Sequence, residues 1–260
     1  MHGTDHDVAR ANIDNLIALW RALGARAQNR EGGGSARLHP AWPRRCWFDT
    51  GDAAAHPQQI TAVLAQLPAG YIVPLWDGPL APVLQPALAA EGFTPLFRQL
   101  AMTLELADYT RAGDAAGSLR DGRHLELQRV DDADVRNWCD VGGAAFDYAI
   151  EPGVISYALG APGLELYLAR LDNTAVATGL LWRTGEVVGI HQVGVPREFR
   201  GLGIARTLMR QLLDRSVDCG AARVVLQASD EGEPLYRSLG FAAQFVIENY
   251  ARGEPVSRGD

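Results

Sequence analysis

The segment Arg200-Gly201-Leu202-Gly203-Ile204-Ala205 places two glycines within three residues. It lies where a run of β-formers, residues 186–195, passes through Pro196 into an amphipathic helix. These residue types in this order describe a site for an anion. The first N–H groups of a helix have no carbonyl partner within it, and its aligned peptide dipoles favour negative charge at that end. Glycine permits positive φ and lets a ligand come close to the backbone. What is missing narrows the ligand. All 24 basic residues are arginine, so no Gly-Lys-Ser/Thr phosphate loop can form. A dinucleotide fingerprint needs a third glycine where Arg206 stands, and the surrounding strands are not in βαβ order.

The elements that must position this turn can be read from periodicity. Residues 164–171, 175–184 and 186–195 alternate as three sequential antiparallel strands, joined by the turn sequences Asp-Asn-Thr and Thr-Gly-Glu. A helix over 202–219 follows, then a buried strand at 223–229. A short helix through 235–239 is stopped by Gly240, and a strand covers 241–250. Upstream, a strand ends at Val130, Asp131 or Asp132 caps a helix running to about Phe146, and a shorter helix spans 152–159.

The first part of the chain reads as a helix carrying Ile13, Leu16, Ile17, Trp20 and Leu23, with Gly24 as its stop. A glycine-rich loop is expected at 29–37 and a strand near 46–49. A helix at 57–67, a strand at 71–76, a helix at 79–91 and a strand at 93–106 complete this part. Residues 108–122 are small, polar and without apolar period, and read as a linker. The segments from Ala87 and from Leu235 align faintly. Gly92-Phe93 matches Gly240-Phe241, Phe97 matches Phe245, and a short apolar strand precedes each.

Two motifs carry a resemblance. Arg200-x-x-Gly203-x-Ala205 after its strand resembles the acyl-coenzyme A pyrophosphate turn of the GCN5-related N-acetyltransferases. Leu235-Tyr236-x-x-x-Gly240-Phe241, after the strand at 223–229, resembles that family's second motif. The order of elements from Leu125 to Tyr250 is similar to the family's fold. The resemblance implies an α/β (α+β) fold with a mixed, mostly antiparallel twisted sheet flanked by helices. It covers the second half, and the faint repeat makes the first half resemble a degenerate copy. The expected organisation is therefore a degenerate domain at 1–107, a linker at 108–122 and a catalytic domain at 123–260. Ser229 stands where the family often has Asn, Gly232 where Ala is common, and residues 251–260 read as a tail. The sheet edge would then be completed by another segment or a partner chain.

The resemblance also implies roles. Acetyl-CoA would lie along Val193, Gly194 and Val195, with Gly194 as the site of a β-bulge that frees backbone groups. Its pyrophosphate would meet Arg200, Gly201, Leu202, Gly203, Ile204 and Ala205, and Ser229 would contribute from the neighbouring strand. Tyr236 would be the general acid for the leaving thiol, since a phenol near pKa 10 and a thiol near 8.5 are close enough for transfer. The plain alternative for Tyr236 is an aromatic packed beneath the turn. His191, counted on the same strand face as Val193 and Val195, would relay protons from an amine, or else be a satisfied histidine in the sheet. A carboxylate is the other candidate base. Asp147, Tyr148 and Glu151 follow the first helix of the second half, where this fold builds its acceptor pocket, and are candidates for holding a cationic amine or ordinary loop residues. The implied function is direct acetyl transfer from acetyl-CoA to the amine of a small molecule, by a monomer or homodimer. A non-catalytic acyl-CoA sensor or partner-binding module is the alternative. Residues 49–58, where the repeat would place a second turn, offer one glycine and two acids, so the first half is expected to bind no coenzyme A.

Composition sets the outer bounds. A net charge of −7 over 260 residues, with no basic stripe, argues against a nucleic-acid partner. Cys46, Cys139 and Cys219 stand apart without metal-ligand spacing, so no metal is expected. The first ten residues lack the basic and apolar regions of a signal peptide. The longest apolar stretch, 60–76, is broken by Gln66, Pro68, Gly70 and Pro74. A cytoplasmic protein with no membrane partner is the expectation.

Overall fold

A computed structural model of the chain describes residues 2–28, 36–48 and 57–253. Residues 29–35 of the expected glycine-rich loop, residues 49–56 of the segment compared with the anion turn, and the tail at 254–260 lie outside the described residues.

The chain begins with helix α1 (His2–Ala22) and three short strands, β1 (Arg26–Gln28), β2 (Ala36–Leu38) and β3 (Cys46–Phe48). Then come α2 (Pro57–Ala65), β4 (Ile72–Trp76), α3 (Ala81–Ala90) and the long strand β5 (Thr94–Glu105). The second half runs β6 (Glu126–Arg129), α4 (Val135–Phe146), α5 (Pro152–Ala158), β7 (Leu164–Leu171), β8 (Thr174–Thr184) and β9 (Val187–Gly194). It ends with α6 (Ile204–Asp218), β10 (Arg223–Ala228), α7 (Glu233–Ser238) and β11 (Ala242–Ala251). The β7–β8 hairpin turns through Asp172 and Asn173, both at positive φ, which is the geometry a tight hairpin needs. The N-cap of α4 is Asp134, not Asp131 or Asp132; the Asp131 carboxylate instead closes the turn before the helix, accepting the N–H groups of Ala133 and Asp134 at 2.9 and 3.3 Å.

Strands β1, β2 and β3 form a small antiparallel sheet. The other eight form one sheet in the order β4-β11-β5-β10-β9-β8-β7-β6. Every neighbouring pair is antiparallel except β9 and β10. The sheet crosses the expected division at 108–122. Strand β5 lies inside it, paired on one side with β10 (Glu105 opposite Arg223) and on the other with β11 (Thr94 opposite Ala251). The edge expected to be open after Tyr250 is thus filled from within the chain. The two faintly similar segments are direct neighbours, and each has on its outer side the short strand that precedes the other.

Residues 108–122 do more than link. Two 3₁₀ turns, Leu106–Asp108 and Gly113–Gly117, lie along α6. Asp214 on α6 accepts the Tyr109 hydroxyl at 2.9 Å and the Ala112 and Gly113 N–H groups at 3.3 and 3.0 Å. Ala116 and Leu119 are buried, so this segment is a strap tied to the helix that follows the anion turn.

Both faces of the sheet are covered. On one, α6 packs Ile204, Leu208, Leu212 and Leu213 against Met102, Ala177, Ile190 and Val224. On the other, α4 and α5 pack Trp138, Cys139 and Ile155 against Leu166, Leu168 and Leu180. Helix α1 lies across the latter face and holds it with polar groups as well as apolar ones. Buried Asn12 donates to the Met102 and Leu226 carbonyls and to Gln244 Oε1, at 3.0, 3.5 and 2.7 Å. Buried Asn15 donates to the Trp182 carbonyl at 3.0 Å and to Thr184 Oγ1 at 2.8 Å. The helical spacing of Ile13, Leu16, Ile17 and Trp20 showed that α1 packs, but gave no sign that its asparagines bridge five strands.

A fragment beginning at Gly122 loses β5 from the middle of the sheet, together with fully buried Ala101 and Met102. It would expose the facing edges of β10 and β11, and each buried side chain of Met102 size lost removes roughly 1.5–3 kcal/mol. Expressed alone, the fragment should be insoluble or lack a cooperative thermal transition, and co-expression with residues 1–121 should restore soluble protein. A soluble, cooperatively melting fragment would show that β5 is dispensable.

Candidate active site

The site begins where two strands part. Strands β9 and β10 are paired from Val187 opposite Arg223 to Gly189 opposite Val225, and no further. From Ile190 onward the β10-facing edge of β9 has no strand partner among the described residues, and a cleft opens between the two strands. At the same level β9 is bulged. Leu180 of β8 faces His191 and Thr178 faces Gly194, so Gln192 and Val193 together stand opposite Gly179. Gln192 takes φ of 50°, uncommon for a residue with a side chain. Two bonds hold it there: buried Thr178 donates its hydroxyl to the Gln192 carbonyl at 2.9 Å, and Tyr148 donates its own to Gln192 Oε1 at 3.1 Å.

The bulge therefore falls at Gln192–Val193 and not at Gly194, as the sequence had suggested. Gly194 is glycine for another reason: a Cβ there would stand 2.8 Å from both Ala145 Cβ and the Phe146 ring. The extra residue also breaks the alternation on which His191 was counted with Val193. Val193 and Val195 pack with the α6 core, whereas His191 turns to the opposite face, under α1. It is only 9% exposed, and its Nε2 donates to Asn15 Oδ1 at 3.2 Å. Burial lowers its pKa to about 4, against a smaller upward pull from Gln227. His191 is neutral at pH 7 and shut in beneath the helix.

Beyond Gly194 the chain makes a 3₁₀ turn, Arg197–Phe199, and reaches the glycine turn. Gly201 and Gly203 have φ of 81° and 82°, values at which an L side chain is strained by roughly 1–2 kcal/mol. No atom lies within 4 Å of where a Cβ would stand on either, so the turn faces open space. Gly203 is the N-cap of α6 and receives no side-chain cap bond. The helix ladder begins with the Thr207 N–H to the Gly203 carbonyl at 3.1 Å, leaving the N–H groups of Ile204, Ala205 and Arg206 ahead of it. A pocket of about 270 Å³ lies against this turn, lined by Val195, Phe199, Gly203, Ala205, Arg206 and Leu235 among others. Leu202 is 38% exposed on the turn's outer side, and Ile204 is buried in the α6 core. Free backbone N–H groups, a positive helix end and open space at two positive-φ glycines suit a pyrophosphate.

The Arg200 side chain serves the turn itself. Its Nε donates to the Val195 carbonyl and its Nη2 to the Ala145 carbonyl, both at 3.1 Å, which fastens the turn to the end of β9 and to α4. Ser229 Oγ accepts the Gly232 N–H at 3.2 Å and so shapes the approach to α7. Tyr236 on α7 packs against the α6 core, as do Val193, Val195 and Leu235, and its ring meets Phe241 edge-on at 5.9 Å. Burial raises its phenol to about 12, further above a thiol than a free tyrosine stands.

The three acceptor-side candidates are all placed by the turn after α4. Asp147 is the αL C-cap of α4. Tyr148 stacks on Phe146 at 5.5 Å, and desolvation raises its phenol, partly offset by its bond to Gln192 and by the charge of Arg45. Glu151 Oε1 accepts the Trp42 N–H at 3.0 Å and ties the first half to this turn. Residues the sequence reading missed are Gln192, Thr178 and Asn15, which set the bulge and seal His191. The signal for Gln192 was its place just ahead of Val193-Gly194, but a glycine is the more obvious choice for a distorted strand. Cys46 and Cys139 are buried, and their thiols are pushed up to about 12 by desolvation, so they remain protonated at neutral pH.

The acetyltransferase (GNAT) family model matches residues 130–241, which span the parting strands, the glycine turn and α7. No curated protein sequence matches the chain. Among solved structures, a GCN5-related N-acetyltransferase from Kribbella flavida superposes with a TM-score of 0.65 at 19% identity, over 95% of this chain and 97% of that one. A GCN5-related N-acetyltransferase from Sphaerobacter thermophilus gives 0.58 at 20% identity, over 78% and 68%. A functionally unknown conserved protein from Staphylococcus epidermidis ATCC 12228 gives 0.57 at 14% identity, over 88% and 94%. At these identities the structures share the fold. Residues 130–241 are thus similar to the acetyltransferase (GNAT) family, and the chain as a whole shares the fold of GCN5-related N-acetyltransferases.

Proposed function

We propose that the protein transfers an acetyl group from acetyl-CoA to the amine of a small molecule, directly and without a covalent enzyme intermediate. One observation carries this reading: β9 parts from β10 beside a bulge, and the chain runs on from there into the open start of α6. Acetyl-CoA would supply the activated acyl thioester. The N–H groups of Gly201 to Arg206 would hold its pyrophosphate, and the unpaired edge of β9 at Val193 to Val195 would hold its pantetheine arm. A backbone N–H of the bulged strand is suited to charge developing on the carbonyl oxygen.

Tyr236 donates toward the leaving sulfur. With the phenol near 12 and a thiol near 8.5, full transfer is uphill by roughly 5 kcal/mol, so the hydroxyl acts chiefly as a hydrogen-bond donor to a thiolate. His191, sealed beneath α1, takes no part in proton transfer. The amine enters as its free base, and rate rises with pH until the acceptor is deprotonated. The rival reading, an acyl-CoA-binding module without catalysis, shares the turn and predicts binding with no thiol release.

Replacing Tyr236 with Phe keeps the ring and removes the donor. Thiol release from acetyl-CoA should fall roughly ten- to a thousand-fold while acetyl-CoA affinity by calorimetry changes little. An unchanged turnover number would assign the donor role elsewhere.

His191→Gln separates a positioning residue from a base. Turnover should stay within about three-fold, and pH-dependent stability should change. A histidine whose folded pKa lies near 4 contributes stability that is fully present above its unfolded value near 6.5 and is lost as pH falls toward 4. The wild type should therefore lose on the order of 3 kcal/mol more than the variant between pH 7 and 4 in denaturant titrations. A hundred-fold loss of turnover together with loss of the acidic limb of the rate profile would make His191 the base.

A further inference from the structure

Arg45, contributed by the first half just before β3, has two guanidinium nitrogens without a partner among the described residues. Its Nε and Nη1 are shielded from solvent and make no hydrogen bond. Among the described residues no carboxylate bears on its charge, and the phenol of Tyr148 does. Its Cζ lies 5.7 Å above the Phe97 ring of β5, and that ring is 39% exposed. A guanidinium is a planar fork of N–H groups, the shape a carboxylate meets with two parallel bonds. Leaving such a charge buried and unpaired is costly, and a structure that keeps one has a use for it.

Its location supplies the use. Tyr148, which Arg45 influences electrostatically, donates to Gln192 at the bulge of β9. The loop that carries Arg45 is fastened to the α4–α5 turn by the Trp42 N–H to Glu151 bond. The unpaired cation thus stands on the acceptor side of the cleft. We propose that Arg45 binds the carboxylate of the acceptor, whose substrate class is amines that also bear a carboxylate, such as amino acids. One carboxylate neutralises one guanidinium, whereas a phosphate dianion would leave an excess negative charge in a shielded place. This rests on the acyl-transfer reading for the identity of the acceptor, but the anion site can be tested without it.

The experiment compares the wild type, Arg45→Met and Arg45→Lys with the common amino acids, their decarboxylated amines and phosphoethanolamine. The readouts are thiol release from acetyl-CoA and the ligand-induced shift in Tm. Arg45→Met replaces an unpaired buried charge with an apolar side chain of similar length, so its ligand-free Tm should equal or exceed that of the wild type. With the wild type, at least one amino acid should raise Tm and give kcat/KM at least about ten-fold above its decarboxylated amine. Arg45→Met should raise KM for that amino acid by about ten- to a hundred-fold, with kcat and acetyl-CoA affinity nearly unchanged, and abolish its Tm shift. Arg45→Lys should restore part of both. A carboxylate-dependent Tm shift lost in Arg45→Met supports the site even if no thiol is released, in which case it is acyl transfer that fails. The proposal is overturned if no amino acid shifts Tm, if decarboxylated amines or phosphoethanolamine are preferred, or if Arg45→Met affects acids and amines alike.

Discussion

The parallel pairing of β9 with β10 ends after three residue pairs, and the rest of the molecule is arranged around that break. Two strands that part inside a sheet leave backbone groups unpaired on both facing edges, and such groups must find partners. The Gln192–Val193 bulge turns β9 away from its neighbour. Thr178 and Tyr148 hold the distorted residue, and Arg200 fastens the chain beyond it. What is left unpaired, the β9 edge and the first N–H groups of α6, borders one cleft. A ligand with an amide-bearing arm and a pyrophosphate has the groups these positions lack.

The same break explains why the first half cannot be a separate appendage. An interrupted sheet needs support from outside its own hairpins. Strand β5 provides it on the far side of β10, and α1 provides it across the face, with Asn12 reaching β5 and β10 while Asn15 reaches β8 and the His191 ring of β9. Buried amide side chains of this kind are favourable only when fully bonded, and the bonds fix α1 in register with five strands. His191 is part of this fixation, which is why it lies neutral and buried and not at the cleft. The first half also brings Arg45 within electrostatic reach of Tyr148, which holds the bulge, so it bears on the site as well as on the sheet.

How much of this was legible in the sequence follows from the range of each interaction. Residues 164–218 could be read almost to the residue, because alternation, Asp172-Asn173 and the paired glycines act locally. The glycine turn and Tyr236 were found through short motifs; the structure sets the turn at an open pocket and packs Tyr236 against the α6 core. The position of β5 was not legible. Its nearest clue was its faint likeness to β11, and strand order depends on contacts more than a hundred residues apart. The face of His191 was misread because one extra residue in a strand reverses every later side chain, and the bulge fell on a glutamine stabilised by a distant threonine and tyrosine. Arg45 carried no signal, since an arginine's lack of a partner is visible only once its surroundings are known.

The central claim is that the opening between β9 and β10 holds an acyl-coenzyme A by backbone groups. Amide hydrogen exchange, measured with and without coenzyme A, reads those groups directly. The account predicts slowed exchange for Gly201 to Arg206 and for Val193 to Val195, with little change in the β6–β7 hairpin. Unchanged exchange at the α6 start, with protection appearing in the first half instead, would contradict it.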